Sequence, residues 1–242
     1  MIKFFRNIRQ NLLSENKFTR YFIYAIGEVI LVVIGILIAL QINNANDISK
    51  QKQKAINYNK TLINELRTDL DRLNQLDTMC FLKRKEITNY LSYFINPDKG
   101  IDVLIQKMPD VSYFGDYYQS IAYTVDDIIN TGSLEIFSDK TKHAILEFKA
   151  VQDFYEKNRA EVVQKWVLSD LEFENAVDML SFYETPTNRS ENPNDWRLDL
   201  NSDQYRLFNN RALSLLRTYH FRIDQNEKAR QSIEKLLHVL EE

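Results

Sequence analysis

From Tyr21 to Ile42 the chain is almost continuously apolar. Val29 to Leu40 contains no polar side chain, and Glu28 is the only formal charge in the run. A bilayer core about 30 Å thick is crossed by roughly 20 apolar helical residues, so this run predicts a transmembrane anchor. Beyond it, apolar positions recur at spacings of three and four. Ile56, Ile63, Leu66, Leu70, Leu73, Ile87, Leu91 and Phe94 define one seam, with Asn59, Asp77, Cys80 and Arg84 at its polar or weaker positions. That spacing predicts an amphipathic helix from about Asn46 to Phe94, filling the stretch 43–95 as a stalk that enters a bundle. The polar seam positions argue against a simple two-stranded coiled coil.

Asn96-Pro97-Asp98-Lys99-Gly100 is a dense turn signal that ends this helix. A short helix is expected at Ile101 to Lys107, broken by Pro109. Tyr117, Ile121, Val125 and Ile128 then predict a helix stopped by a left-handed cap at Thr131-Gly132. Ser138 or Asp139 can cap the next helix, whose face carries Ile145, Phe148, Val151 and Tyr155. Val162, Trp166, Phe173, Val177 and Leu180 continue it past a kink near Asn158. Tyr183 to Asp195, with Pro186 and Pro193, reads as a polar loop. The last helix keeps one seam from Tyr205 through Phe208, Ala212, Leu215, Tyr219, Ala229, Ile233 and Leu236 to Leu240. No strand pattern or internal repeat competes. The expected fold is all-α: an N-terminal transmembrane helix continuing into an antiparallel extracytoplasmic helical bundle, with residues 96–242 completing it. Five glycines and four prolines in 242 residues agree with long helices.

Charge adds orientation. Residues 1–20 form a basic arm holding Lys3, Arg6, Arg9, Lys17 and Arg20, and Met1 to Leu13 reads as an amphipathic helix suited to the headgroup region. Lys50, Lys52 and Lys54 follow the span. The greater basic charge before it places the N-terminus in the cytoplasm and the bundle in the periplasm. No small-x-small cleavage site follows, so the 21–42 segment is read as an uncleaved, single-pass signal anchor. After Ile42 the chain carries 26 basic against 32 acidic side chains, which gives no electrostatic footprint for nucleic acid.

The chemistry-bearing patterns are sparse. There is no glycine-rich phosphate loop, no Gly-x-Ser-x-Gly elbow and no His-Glu-x-x-His. His143, His220 and His238 follow Lys140, Arg217 and Lys235 at three residues, so the Glu-x-x-His spacing of a di-iron bundle is missing. Cys80, the lone cysteine, reads as a buried thiol. Asp126 and Asp127 point about 100° apart on a helix and read as a solvated face. These patterns lead to no expected catalytic residue, metal or cofactor.

Two sets of residues are candidates for contact. Gly27, Gly35 and Ala39 share one face of the anchor beside Glu28, which allows close approach of a second helix or a polar contact within the membrane. Tyr113, Tyr117, Tyr118 and Tyr123, together with Trp166, combine apolar area with polar tips and make a candidate binding surface. An aromatic core accounts for the same five residues without any ligand. The expected partners are the bilayer and either a second copy or another membrane protein.

The run Ala25-Ile-Gly-Glu-Val-Ile-Leu-Val-Val-Ile-Gly-Ile-Leu-Ile-Ala-Leu-Gln-Ile-Asn-Asn44, preceded by Met-Ile-Lys-Phe-Phe-Arg, closely resembles the start of a domain-of-unknown-function family of single-pass membrane proteins common in Bacteroidota. Thr131-Gly-Ser-Leu134 resembles an element in the middle of that family. Where its pattern places tryptophan after the Asn-Asn pair, this chain has Ala45. The resemblance implies an inner-membrane-anchored helical protein with a periplasmic domain, and it carries over no activity. The expected function is a non-catalytic interaction or scaffold module. The rival expectation is a sensory or ligand-binding bundle that signals through its anchor.

Overall fold

A computed structural model describes residues 18–179, 182 and 195–242. The amphipathic helix expected at Met1 to Leu13, most of the loop expected at Tyr183 to Asp195, and Leu180 lie outside the described residues. The described residues contain helices and no strand. The chain divides into two compact units, Met1–Asn57 and Tyr58–Glu242.

The first long helix, α1, spans Phe18–Ile95. In the first unit its apolar run reaches a mean hydropathy of 2.6 over 18 residues, none of them buried. Among the described residues this is the one helix long and apolar enough to cross a membrane.

In the second unit, the later part of α1 is followed by α2 (Ile101–Lys107) and a single 3-10 turn at Met108–Asp110. Residues 111–122 have no regular secondary structure. Then come α3 (Tyr123–Asn130), a 3-10 turn (Ser133–Ile136), α4 (Asp139–Glu174), a 3-10 turn (Trp196–Leu198) and α5 (Asp203–Glu241). Ser138 and Ser202 cap α4 and α5 by accepting the backbone N–H of Thr141 and Tyr205. Gly132, with φ at 68°, supplies the left-handed residue between α3 and the next turn.

Side-chain bonds set the helix directions. Tyr90 donates to Asn209, Asn226 to Asp77, and Arg67 to Glu241, so α5 descends along α1. Arg211 meets Asp170, Tyr155 meets the Gln225 carbonyl, and Lys235 meets Glu147, so α5 also runs against α4. α1 and α4 therefore point the same way. The chain leaves α1 at the Tyr90 end and must return to the Arg67 end before α4 begins. Residues 111–122 make that return.

Periodicity explains the core, with one shift. Every residue of the expected α5 seam is buried, from Tyr205 to Leu240. On α1 the interior stripe is Leu62, Leu66, Asp69, Leu73, Leu76, Cys80, Ile87 and Tyr90, at spacings of four, three and seven. The expected seam shares Leu66, Leu73, Cys80 and Ile87. Ile63, Leu70 and Leu91 are half-buried flanks, and Ile56 is 58% exposed. The stripe is rotated because Asp69 and Tyr90 occupy interior positions that apolar counting passes over. At the α2 end an aromatic cluster closes the bundle. Phe208 meets Tyr90 and Phe173 edge-on at 5.1 Å each, and Trp196 meets Tyr205 edge-on at 5.1 Å.

Two helix expectations are corrected. Tyr117 and Ile121 are not helical: α3 begins only at Tyr123, because the Ile121 amide is taken by Asp69 instead of an intrahelical carbonyl. Helix α4 ends at Glu174, so Val177 lies beyond it, and it runs uninterrupted through Asn158.

Candidate functional site

Irregular backbone that crosses a helical bundle must find partners for its own N–H and C=O groups. Residues 111–122 find them in four polar side chains of α1 and α5, all buried. Arg211 donates to the Val111 carbonyl at 3.2 Å. The Tyr219 hydroxyl accepts from the Phe114 amide at 2.6 Å and donates to the Ser112 carbonyl at 3.3 Å. Burial pushes the Tyr219 phenol up to about 12, against backbone bonding and the Arg222 charge, which pull the other way. Arg222 reaches the Phe114 carbonyl at 2.6 Å with one terminal nitrogen and the Asp116 carbonyl with the other. Asp69 holds the far end, accepting from Ser120 Oγ at 2.6 Å, the Ile121 amide at 3.0 Å and the Tyr118 hydroxyl at 3.1 Å. Burial raises the Asp69 carboxyl above its ordinary range. The hydrogen bonds from Ser120, Ile121 and Tyr118 and the Arg72 charge only partly offset this.

Between this crossing segment, α4 and α5 lies a cavity of about 180 Å³. Tyr117, Tyr118 and Ser120 form the segment's wall, and Tyr123 comes from the start of α3. Phe148, Lys149, Gln152, Asp153, Glu156 and Arg159 come from α4, and Arg222, Gln225 and Asn226 from α5. At its α3 end, Lys149 is clamped between Asp126 at 3.0 Å and Asp153 at 2.9 Å, and these two carboxylates raise its pKa. At the other end the guanidinium carbon of Arg222 sits 4.3 Å from the Tyr117 ring centroid, and that of Arg159 sits 6.0 Å from it. Neither arginine forms an ion pair with a carboxylate among the described residues. Arg222 is 5% exposed, and its charge is met by two backbone carbonyls and the faces of Tyr117, Phe114 and Tyr219. The Gln225 side-chain oxygen is buried without a hydrogen-bond partner.

The five aromatic candidates fall into two places. Tyr117, Tyr118 and Tyr123 line the cavity, with Tyr123 66% exposed at its mouth. Tyr113 and Trp166 pack beside it, stacked on each other with centroids 4.0 Å apart, and the Tyr113 hydroxyl bonds that of Tyr117. Trp166 is buried and does not reach the cavity. Gly27, Glu28, Gly35 and Ala39 lie on α1 in the other unit. Among the described residues, nothing beyond the local helix backbone comes within 4 Å of where a Cβ would stand on Gly27 or Gly35.

Sequence reasoning missed Asp69, Arg222 and Asn226. Each had a readable signal: Arg222 and Asn226 fill the three-four-three gap between Tyr219 and Ala229 on the α5 seam, and Asp69 lies between Leu66 and Leu73 on the α1 stripe. The three histidines are exposed and none lines the cavity. No group of three residues able to hold a metal ion occurs among the described residues. Cys80 is a buried free thiol, and burial raises its pKa.

Residues 28–147 match a family of unknown function (DUF6090). The match covers most of α1, the crossing segment, α3 and the start of α4. It stops short of Gln152, Arg159 and all of α5. No curated protein and no solved structure matches the chain.

Proposed function

We propose that the chain is a non-enzymatic, membrane-anchored helical binding module whose bundle receives a small molecule behind residues 111–122. The supporting observation is the cavity itself. It is walled by tyrosine rings and carries two arginines without acidic partners among the described residues. Sites of this kind are concave and mostly apolar, with a few polar groups that fix orientation. The apolar part of α1 holds the protein in the inner membrane, with the N-terminus cytoplasmic and the bundle periplasmic. A thermal-shift screen of small molecules on the full chain in detergent tests the reading. Val162 lines the cavity and is half-buried. A Val162→Trp variant that fills the space should keep the fold and lose every shift seen with the unmodified protein. Shifts that survive Val162→Trp place the ligand elsewhere.

A second reading is an interaction or scaffold module, working as a homo-oligomer or with another membrane protein. Its support is the open surface around Gly27 and Gly35, where small residues allow close helix approach. The native mass of the gently extracted protein tests it. A multiple of 28.7 kDa that collapses to one copy in a Gly35→Ile, Ala39→Ile variant supports self-association through this face.

A further inference from the structure

We infer that the cavity behind residues 111–122 takes a small, single-ring organic carboxylate, with its carboxylate between Arg159 and Arg222 and its ring against the tyrosine wall. This rests on the ligand-binding reading above and adds the chemistry of the ligand. Size sets the first limit. A cavity of about 150 Å³ accommodates benzene. The space here, about 180 Å³, fits one ring with a compact polar substituent.

Charge sets the second. Arg159 and Arg222 lie over the same Tyr117 ring, and neither is neutralised by a carboxylate among the described residues. Two guanidiniums near one aromatic ring repel each other, and an anion within reach of both relieves that repulsion. Arg222 spends one terminal nitrogen on Phe114 and the other on Asp116, so it is already held in place and loses little freedom on binding. Guanidinium groups match carboxylate oxygens in geometry and form their strongest hydrogen bonds with such anions.

The rest of the lining narrows the class. Asp126, Asp153 and Glu156 balance Arg159, Arg222 and Lys149, so the wall as a whole is neutral. It has room for one negative charge at the arginine end, whereas a doubly charged phosphate ester also meets the carboxylates of α3 and α4. Lys149 is not available to an anion, because Asp126 and Asp153 hold it.

Titration calorimetry on the full chain in detergent tests this with four probes: benzoate, benzyl alcohol, benzylamine and phenyl phosphate. Benzoate should bind at least about tenfold more tightly than benzyl alcohol, the expected worth of a charge-assisted contact. Benzylamine should not bind. Arg159 is half-buried and holds no backbone, so Arg159→Gln should fold. It should shrink the preference for benzoate over benzyl alcohol, because only Arg222 then remains for the carboxylate. Benzyl alcohol or benzylamine binding as well as benzoate overturns the anion assignment and leaves the binding reading standing. Tighter binding of phenyl phosphate overturns the carboxylate in favour of a phosphate. If no probe of any charge binds, while the protein gives a normal cooperative melt, both this inference and the cavity reading fall.

Discussion

Asp69 carries two opposed demands. Its carboxylate anchors three donors of the crossing segment, and it does so in a site where burial disfavours its charge. The folded pKa therefore lies above the ordinary value of 3.8. A group raised in this way stabilises the fold fully below its unfolded pKa, and that contribution is lost as the pH rises through the folded one. Asp69→Asn has no such titration. The stability of the wild type relative to Asp69→Asn should therefore grow as the pH falls from neutrality towards 3.8, as read by paired urea melts. Glu147 shifts the opposite way through its bond to Lys235, but it is present in both proteins and drops out of the difference. A difference that shrinks in acid means Asp69 is ionised more easily in the fold than in the open chain.

At the scale of elements, apolar spacing read the helices well and the polar interior poorly. The α5 seam, the Asn96–Gly100 stop, the left-handed Gly132 and the Ser138 cap were all legible, because each depends on local chemistry. The crossing segment was not. Tyr117, Ile121, Val125 and Ile128 keep a helical spacing, yet the first two are not helical because a carboxylate about 50 residues earlier in the chain competes for their stretch of backbone. Three of the five aromatic candidates line the cavity, but their cationic partners went unread. A charged residue on a seam looks like an interruption until the element it serves is known. The rotated α1 stripe makes a direct prediction. Leu62→Ala, at a fully buried position, should cost about 2–5 kcal/mol in a denaturant melt. Ile56→Ala, at a position counted in the expected seam but 58% exposed, should stay within about 0.5 kcal/mol. Equal costs would restore the unrotated seam.

At the scale of the whole molecule, the issue is topology across a membrane. Five basic residues before the apolar run against three soon after it predict a C-terminus outside the cytoplasm. A reporter that is active only outside the cytoplasm, joined after Glu242, should be active, and one that works only inside should be silent. The reverse pattern would put the bundle in the cytoplasm and remove the periplasmic assignment, while leaving the cavity and its lining unchanged.

The two ends of the crossing segment are fastened by parts of the chain made at different times. Asp69 precedes Ser120 and Ile121, so their end is secured as soon as α1 and the segment have both emerged. Tyr219 and Arg222 follow Phe114 by more than 100 residues, so the other end stays loose until α5 arrives. Closing so long a loop is entropically costly and late. A nascent chain halted before α5 should therefore be cut by protease around Phe114 to Tyr117, whereas the finished chain resists there. The segment that walls the cavity is then also a proofreading step. Only a chain synthesised to its last helix closes the segment and completes the cavity.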